Sequence, residues 1–80
     1  MDKIKQTEVV EITTDWIKLD ALLKFAGIVP TGGEAKELIT EGKIKVNGEL
    51  CLMRGKKLRP GDTVESGSRN ILLQKAAFQV

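Results

Sequence analysis

Lys43, Lys45, Arg54, Lys56, Lys57 and Arg59 stand within residues 43–59, and Glu49 is the one acid among them. Ammonium and guanidinium groups at this density neutralise phosphate: arginine grips it through a planar fork of donors, lysine acts as a point charge. The rest of the chain shows how local the charge is. Residues 1–42 carry five cations and eight acids, net −3, and residues 60–80 balance. The formal charge of +2 therefore conceals a run of +5 over 43–59. Such a run is suited to holding a polyanion, provided the fold keeps it on one side. Lys18, Lys24 and Lys36 lie upstream and join the patch only if their helices sit beside it.

Catalysis has little to work with. The chain has no histidine and one cysteine, so a structural zinc site lacks its ligands. Cys51 has no imidazole base and sits in an apolar Leu50-Cys51-Leu52 run, which reads as buried structure. Asp15 and Asp20 read as a helix cap and a local hydrogen-bonding residue rather than as paired acid and base. The expectation is a binding protein, not an enzyme, with no cofactor. A lone cysteine precludes an intrachain disulfide and suits a reducing compartment. No apolar run approaches the ~20 residues that cross a bilayer, and the first residues lack the apolar centre of a signal peptide. The reading is a cytoplasmic protein, away from membranes. Eighty residues make a single domain over 1–80 with a small core.

The positioning elements follow from periodicity. Residues 7–13, rich in Val and Ile, predict a strand. Thr14 or Asp15 is expected to cap a helix over 16–26, whose Leu19, Leu22, Leu23 and Ala26 share one face. Gly27 and Pro30 end it. Thr31 and Glu34 have the spacing of a capping box, which opens a second helix over 32–41 with Ala35, Leu38 and Ile39 inward. After Gly42 the period drops to two: Ile44 and Val46 face the core while Lys43 and Lys45 share the opposite face. Asn47-Gly48 predicts a type I′ hairpin turn, with the return strand over 49–53. A basic loop over 54–57, a Pro60-Gly61 turn and a short strand from Asp62 to Glu65 follow. The apolar stretch 71–80 reads as a closing strand that can pair with the first.

At this point the residues resemble the S4-type RNA-binding domain, the module with the alpha-L motif. Its pattern of a basic residue, Leu and Asp opening helix one is met by Lys18-Leu19-Asp20. The later positions are met by Ala35, Ile39, Gly42, Ile44, Val46-Asn47-Gly48 and Gly61-Asp62. The match covers residues 17–65 and is similar in particular to small stand-alone bacterial members whose second helix also opens with Gly-Gly. The resemblance implies an α+β fold with two short N-terminal helices packed on a small, largely antiparallel sheet. It implies binding of structured RNA, such as ribosomal RNA, and assigns Lys18, Lys36, Lys43 and Lys45 to the family's basic positions. The chain departs from the pattern at Gly32, where many members carry an arginine and hence a bidentate phosphate fork.

The expected RNA-binding residues are therefore Lys18, Lys24, Lys36, Lys43, Lys45, Arg54, Lys56, Lys57 and Arg59. Duplex RNA hides its bases in a deep, narrow groove, so cations on adjoining elements can read its shape and backbone. The expected ligand is structured RNA, ribosomal or transfer RNA, with a ribonucleoprotein or another protein as a further partner. Gly32 and Gly33 suit either a phosphate approaching the backbone or close helix packing. Asn47 reads as a turn residue. Trp16 and Phe25 read as core, which argues against a single-strand binder built on aromatic platforms. Two alternatives use the same chain: a protein-interaction domain on this scaffold with little RNA binding, suggested by Glu34, Glu37 and Glu41, and weak DNA binding.

Overall fold

The alternation of apolar and charged residues after Gly42 builds a sheet, and the leucine-rich segments before it build two helices that share its core. The computed structural model describes residues 7–76. In chain order the elements are β1 (Thr7–Ile12), β2 (Ile17–Lys18), α1 (Leu19–Phe25), α2 (Gly32–Thr40), β3 (Ile44–Val46), β4 (Glu49–Leu50), β5 (Lys57–Leu58), β6 (Thr63–Ser66) and β7 (Arg69–Lys75). Five strands form a sheet in the order β1-β7-β6-β3-β4, and β2 and β5 form a separate two-stranded ladder.

Two details depart from the expected architecture. The described chain opens with strand β1, as residues 7–13 predict, so the helices that the resemblance places at the N-terminus follow a strand, and two residues of β2 precede α1. The sheet is mixed: β1 pairs with β7 in parallel, while β7–β6, β6–β3 and β3–β4 are antiparallel. The first strand does meet the closing one, as anticipated, with Thr7 opposite Asn70 and Ile12 opposite Lys75. A parallel partner needs a long crossover, and the helices and hairpins between β1 and β7 supply it. Of the expected closing strand, residues 77–80 lie outside the described residues.

One cluster holds the fold together. Leu19, Leu22 and Leu23 of α1 and Ala35 and Ile39 of α2 are fully buried with Ile44, Leu58, Val64, Ile71 and Leu73 from the strands. Fully burying each aliphatic side chain contributes roughly 1.5–3 kcal/mol, so no contributor to so small a core is dispensable. Cys51 joins this cluster as a free, buried thiol. Arg69 ties its edges: it donates to both Glu8 oxygens, at 2.8 and 2.6 Å, and to the Ala26 carbonyl at 3.1 Å. The bonds from Arg69 hold the Glu8 carboxyl below its ordinary value.

The helix starts differ in an informative way. Thr31 caps α2 as its sequence requires: its hydroxyl accepts from the Glu34 N–H at 3.2 Å and lies 3.4 Å from a Glu34 carboxylate oxygen. Helix α1 starts three residues later than expected, and its N-cap, Lys18, makes no side-chain cap bond. Neither Thr14 nor Asp15 serves. Instead the Leu19 N–H donates to the Lys56 carbonyl at 2.9 Å and the Asp20 N–H to the Arg54 carbonyl at 3.1 Å. The orphan donors of a helix start require partners, and here the basic loop provides them. The loop is thereby fastened to the entrance of α1.

Candidate nucleic-acid interface

The fastening sets Lys18 and Lys57 side by side and keeps Arg54 and Lys56 on the adjoining segment. Ile17 pairs with Leu58, and Lys18 with Lys57, in the antiparallel β2–β5 ladder. Leu58 is fully buried and Ile17 packs against the core, so the alternation sends Lys18 and Lys57 outward together. Arg54 and Lys56 lie on the same segment, held by the two backbone bonds to α1, and both are exposed. Like charges directly opposite in a ladder are destabilising. The fold accepts that repulsion between Lys18 and Lys57 rather than placing an acid at either position. Among the described residues, no carboxylate lies within ion-pair distance of Lys18, Arg54, Lys56 or Lys57; the pairs there take Lys43, Arg69 and Lys75.

The sequence predicts a loop over 54–57, and the structure shows that Lys57 already belongs to β5. Arg59 follows β5 directly, and its backbone N–H donates to Asp62 at 2.9 Å. Asp15, close enough to feel the Arg59 charge, is held below its ordinary value chiefly by the hydrogen bond from Lys75 at 2.9 Å.

The remaining expected binding residues fall elsewhere. Lys43 is exposed one residue before β3, its ammonium 3.2 Å from Glu41. Lys45 does point out of β3 between buried Ile44 and Val46, but its register partner across the sheet is Glu65. Lys36 is exposed on α2. Lys24 is exposed at the end of α1, its aliphatic stem the nearest neighbour of Gly32. A methyl group at Gly32 would meet only that stem, at 4.0 Å, and one at Gly33 only the Thr31 hydroxyl, at 3.9 Å. Close helix packing is therefore not what these glycines serve.

Asn47 is a turn residue, as expected. It adopts φ of 52° beside Gly48 at 83°, donates to Asp62 at 3.1 Å and accepts from the Thr63 N–H at 2.9 Å. The bonds lock the hairpin tip to the Pro60-Gly61 turn, and hence the strand after the basic segment to β3.

The aromatic residues overturn the sequence reading. Trp16 is 38% exposed and Phe25 63% exposed, so neither is core. Lys57 Nζ sits 4.6 Å from the Trp16 ring centroid, a cation–π contact. The only sequence signal for it is a tryptophan beside a strand too short to show periodicity. No helix among the described residues is long and apolar enough to cross a membrane.

Known proteins fit this geometry. The family model of the S4 domain matches residues 10–74. The probable ribosome maturation protein RlbA of Bacillus subtilis is 41% identical over 56 residues, covering 70% of this chain and 79% of that protein. The small ribosomal subunit protein uS4 of Hyphomonas neptunium is 40% identical over 58 residues, covering 70% of this chain but 28% of uS4. The chain thus spans under a third of that ribosomal relative. The solution structure of YbcJ from E. coli, described as having an alpha-L motif involved in RNA-binding, superposes with a TM-score of 0.62 and 26% identity over 90% of each chain. Heat Shock Protein 15 of Vibrio cholerae shares the fold, with a TM-score of 0.66 and 22% identity over 80% of this chain and 68% of that one.

Proposed function

We propose, for a chain that belongs to the S4 domain family, that the β2–β5 ridge binds structured RNA without catalysing a reaction. The observation that carries this is the Lys18–Lys57 register pair. Two lysines held face to face work against folding, and a phosphate between them relieves the repulsion. Arg54 and Lys56 extend the field along the entrance of α1, and Arg54 supplies the bidentate donor that Gly32 cannot. Lys24, Lys36, Lys45 and Arg59 flank it as outlying charges. Ribosomal or transfer RNA in the cytoplasm, within a ribonucleoprotein, is the ligand this reading favours, and the ribosomal names of two relatives support the first of these.

The test is a titration against an RNA hairpin, single-stranded RNA and duplex DNA at about 50 and 200 mM salt. Four phosphate contacts predict a loss of about 50- to 150-fold in affinity across that range, with the hairpin bound tightest. Equal, salt-insensitive binding to all three would overturn the reading. A protein-interaction role on the same scaffold draws on a different observation. Leu50, Leu52 and Met53 are 57%, 55% and 67% exposed around a groove of about 220 Å³. Absence of RNA binding at either salt would favour that role.

A further inference from the structure

We propose that Trp16 is a stacking platform for an unpaired RNA base, set at the edge of the phosphate-binding ridge; the proposal rests on the RNA reading and names the feature of the RNA that is recognised. Trp16 is the chain's single tryptophan, the largest apolar side chain available to a small core, yet it stands outside the buried cluster and is 38% exposed. Burying it would contribute more apolar area than any leucine. The fold instead holds it at the surface in a fixed place. The Thr14 hydroxyl donates to the Trp16 carbonyl at 2.7 Å, and the next residue, Ile17, is locked opposite Leu58. Lys57 lies over the ring with its ammonium 4.6 Å from the centroid, which sets the ring beside the ridge.

This arrangement joins the two parts of a nucleotide site. The Lys57 ammonium, in register with Lys18, draws a phosphate, and the part of the indole left exposed around it offers an apolar surface to a base of the same strand segment. Aromatic rings stack on any base because every base has a π-face. Within a paired RNA helix the bases are already stacked and out of reach, so the platform can engage only a bulged, looped or terminal nucleotide. The preferred ligand is therefore an RNA helix interrupted by an unpaired base, not a continuous duplex and not a featureless single strand. Phe25, 63% exposed at the opposite end of α1, has no place on the ridge and serves as the control.

The chain has one tryptophan and no tyrosine, so its intrinsic emission reports on this ring alone. The experiment titrates the full chain with two end-labelled, blunt-ended RNA duplexes, identical except for a single-nucleotide bulge. Label anisotropy and tryptophan emission are read together. The expected result is tighter binding of the bulged duplex with quenching of Trp16. Trp16→Phe retains the bulge preference. Trp16→Leu and Trp16→Ala lose it, weakening the bulged duplex by about 5- to 140-fold while leaving residual salt-dependent binding to the continuous one. Phe25→Leu changes neither. Circular dichroism of each variant confirms that it is folded. Binding by anisotropy with unchanged Trp16 emission, or Trp16→Leu retaining the wild-type preference, overturns the stacking proposal and leaves the RNA reading standing. No anisotropy change with either duplex overturns both.

Discussion

Lysines gather at two corners of this molecule, and the fold treats them in opposite ways. At the corner where α2 gives way to β3, Lys43 is paired with Glu41 at 3.2 Å and Lys45 faces Glu65 across the sheet. At the β2–β5 ladder, Lys18 faces Lys57, and the helix entrance beside them is completed by the carbonyls of Arg54 and Lys56. The first corner pairs one of its lysines and sets the other in register with an acid, as an ordinary solvated surface does, for little net stability. At the second, Lys57 lies over the Trp16 ring and no described carboxylate is within ion-pair distance of Lys18, Arg54, Lys56 or Lys57. Counting cations along the chain makes the two corners look alike; which groups stand opposite them separates them.

The largest consequence is a difference between paired charge reversals. Lys18→Glu, Lys56→Glu and Lys57→Glu together are expected to weaken binding to an RNA hairpin by on the order of 1,000-fold, about tenfold for each cation reversed. Lys43→Glu with Lys45→Glu is expected to cost less than about tenfold, because those lysines already have carboxylate neighbours. Anisotropy titrations at one fixed salt concentration compare the two. Equal losses would erase the distinction between the corners.

A single reversal sharpens it. Lys18→Glu converts a repulsive cross-strand pair with Lys57 into an attractive one. The variant is expected to be more stable by up to about 1 kcal/mol in thermal or urea unfolding, while its RNA affinity falls roughly tenfold. Stability and binding should move in opposite directions. If both fall, Lys18 is a structural residue and the ridge has lost its central member.

Much of the scaffold is legible in the sequence because its signals are local. Thr31 and Glu34 define the start of α2 within one turn. Asn47-Gly48 sets a hairpin whose φ angles of 52° and 83° are those its residue types favour. The alternation of Ile44, Lys45 and Val46 fixes which way β3 faces. What escapes depends on partners distant in sequence. The β2–β5 ladder has two residues per strand, too few to show a period. The sequence around the first helix calls for a cap from Thr14 or Asp15, because the carbonyls that take that role lie more than thirty residues downstream. Strand direction leaves no trace in composition, so the parallel β1–β7 pair is invisible there. The same holds for the site. Its cations are all nameable from the sequence, but the ion pair that occupies Lys43 and the exposure of Trp16 are not. A lone tryptophan in a small domain is ordinarily core, and only the ladder that carries Lys57 past its ring shows why this one is not.

On the proposed function, a polyanion docks at Lys18, Arg54, Lys56 and Lys57. Amide and indole chemical-shift mapping of the isotope-labelled chain during addition of an RNA hairpin tests this most directly. The largest shifts are expected at residues 16–20 and 54–58, with little change along α2 or at Lys43. Shifts concentrated on residues 34–45, with the β2–β5 ladder unmoved, would contradict it.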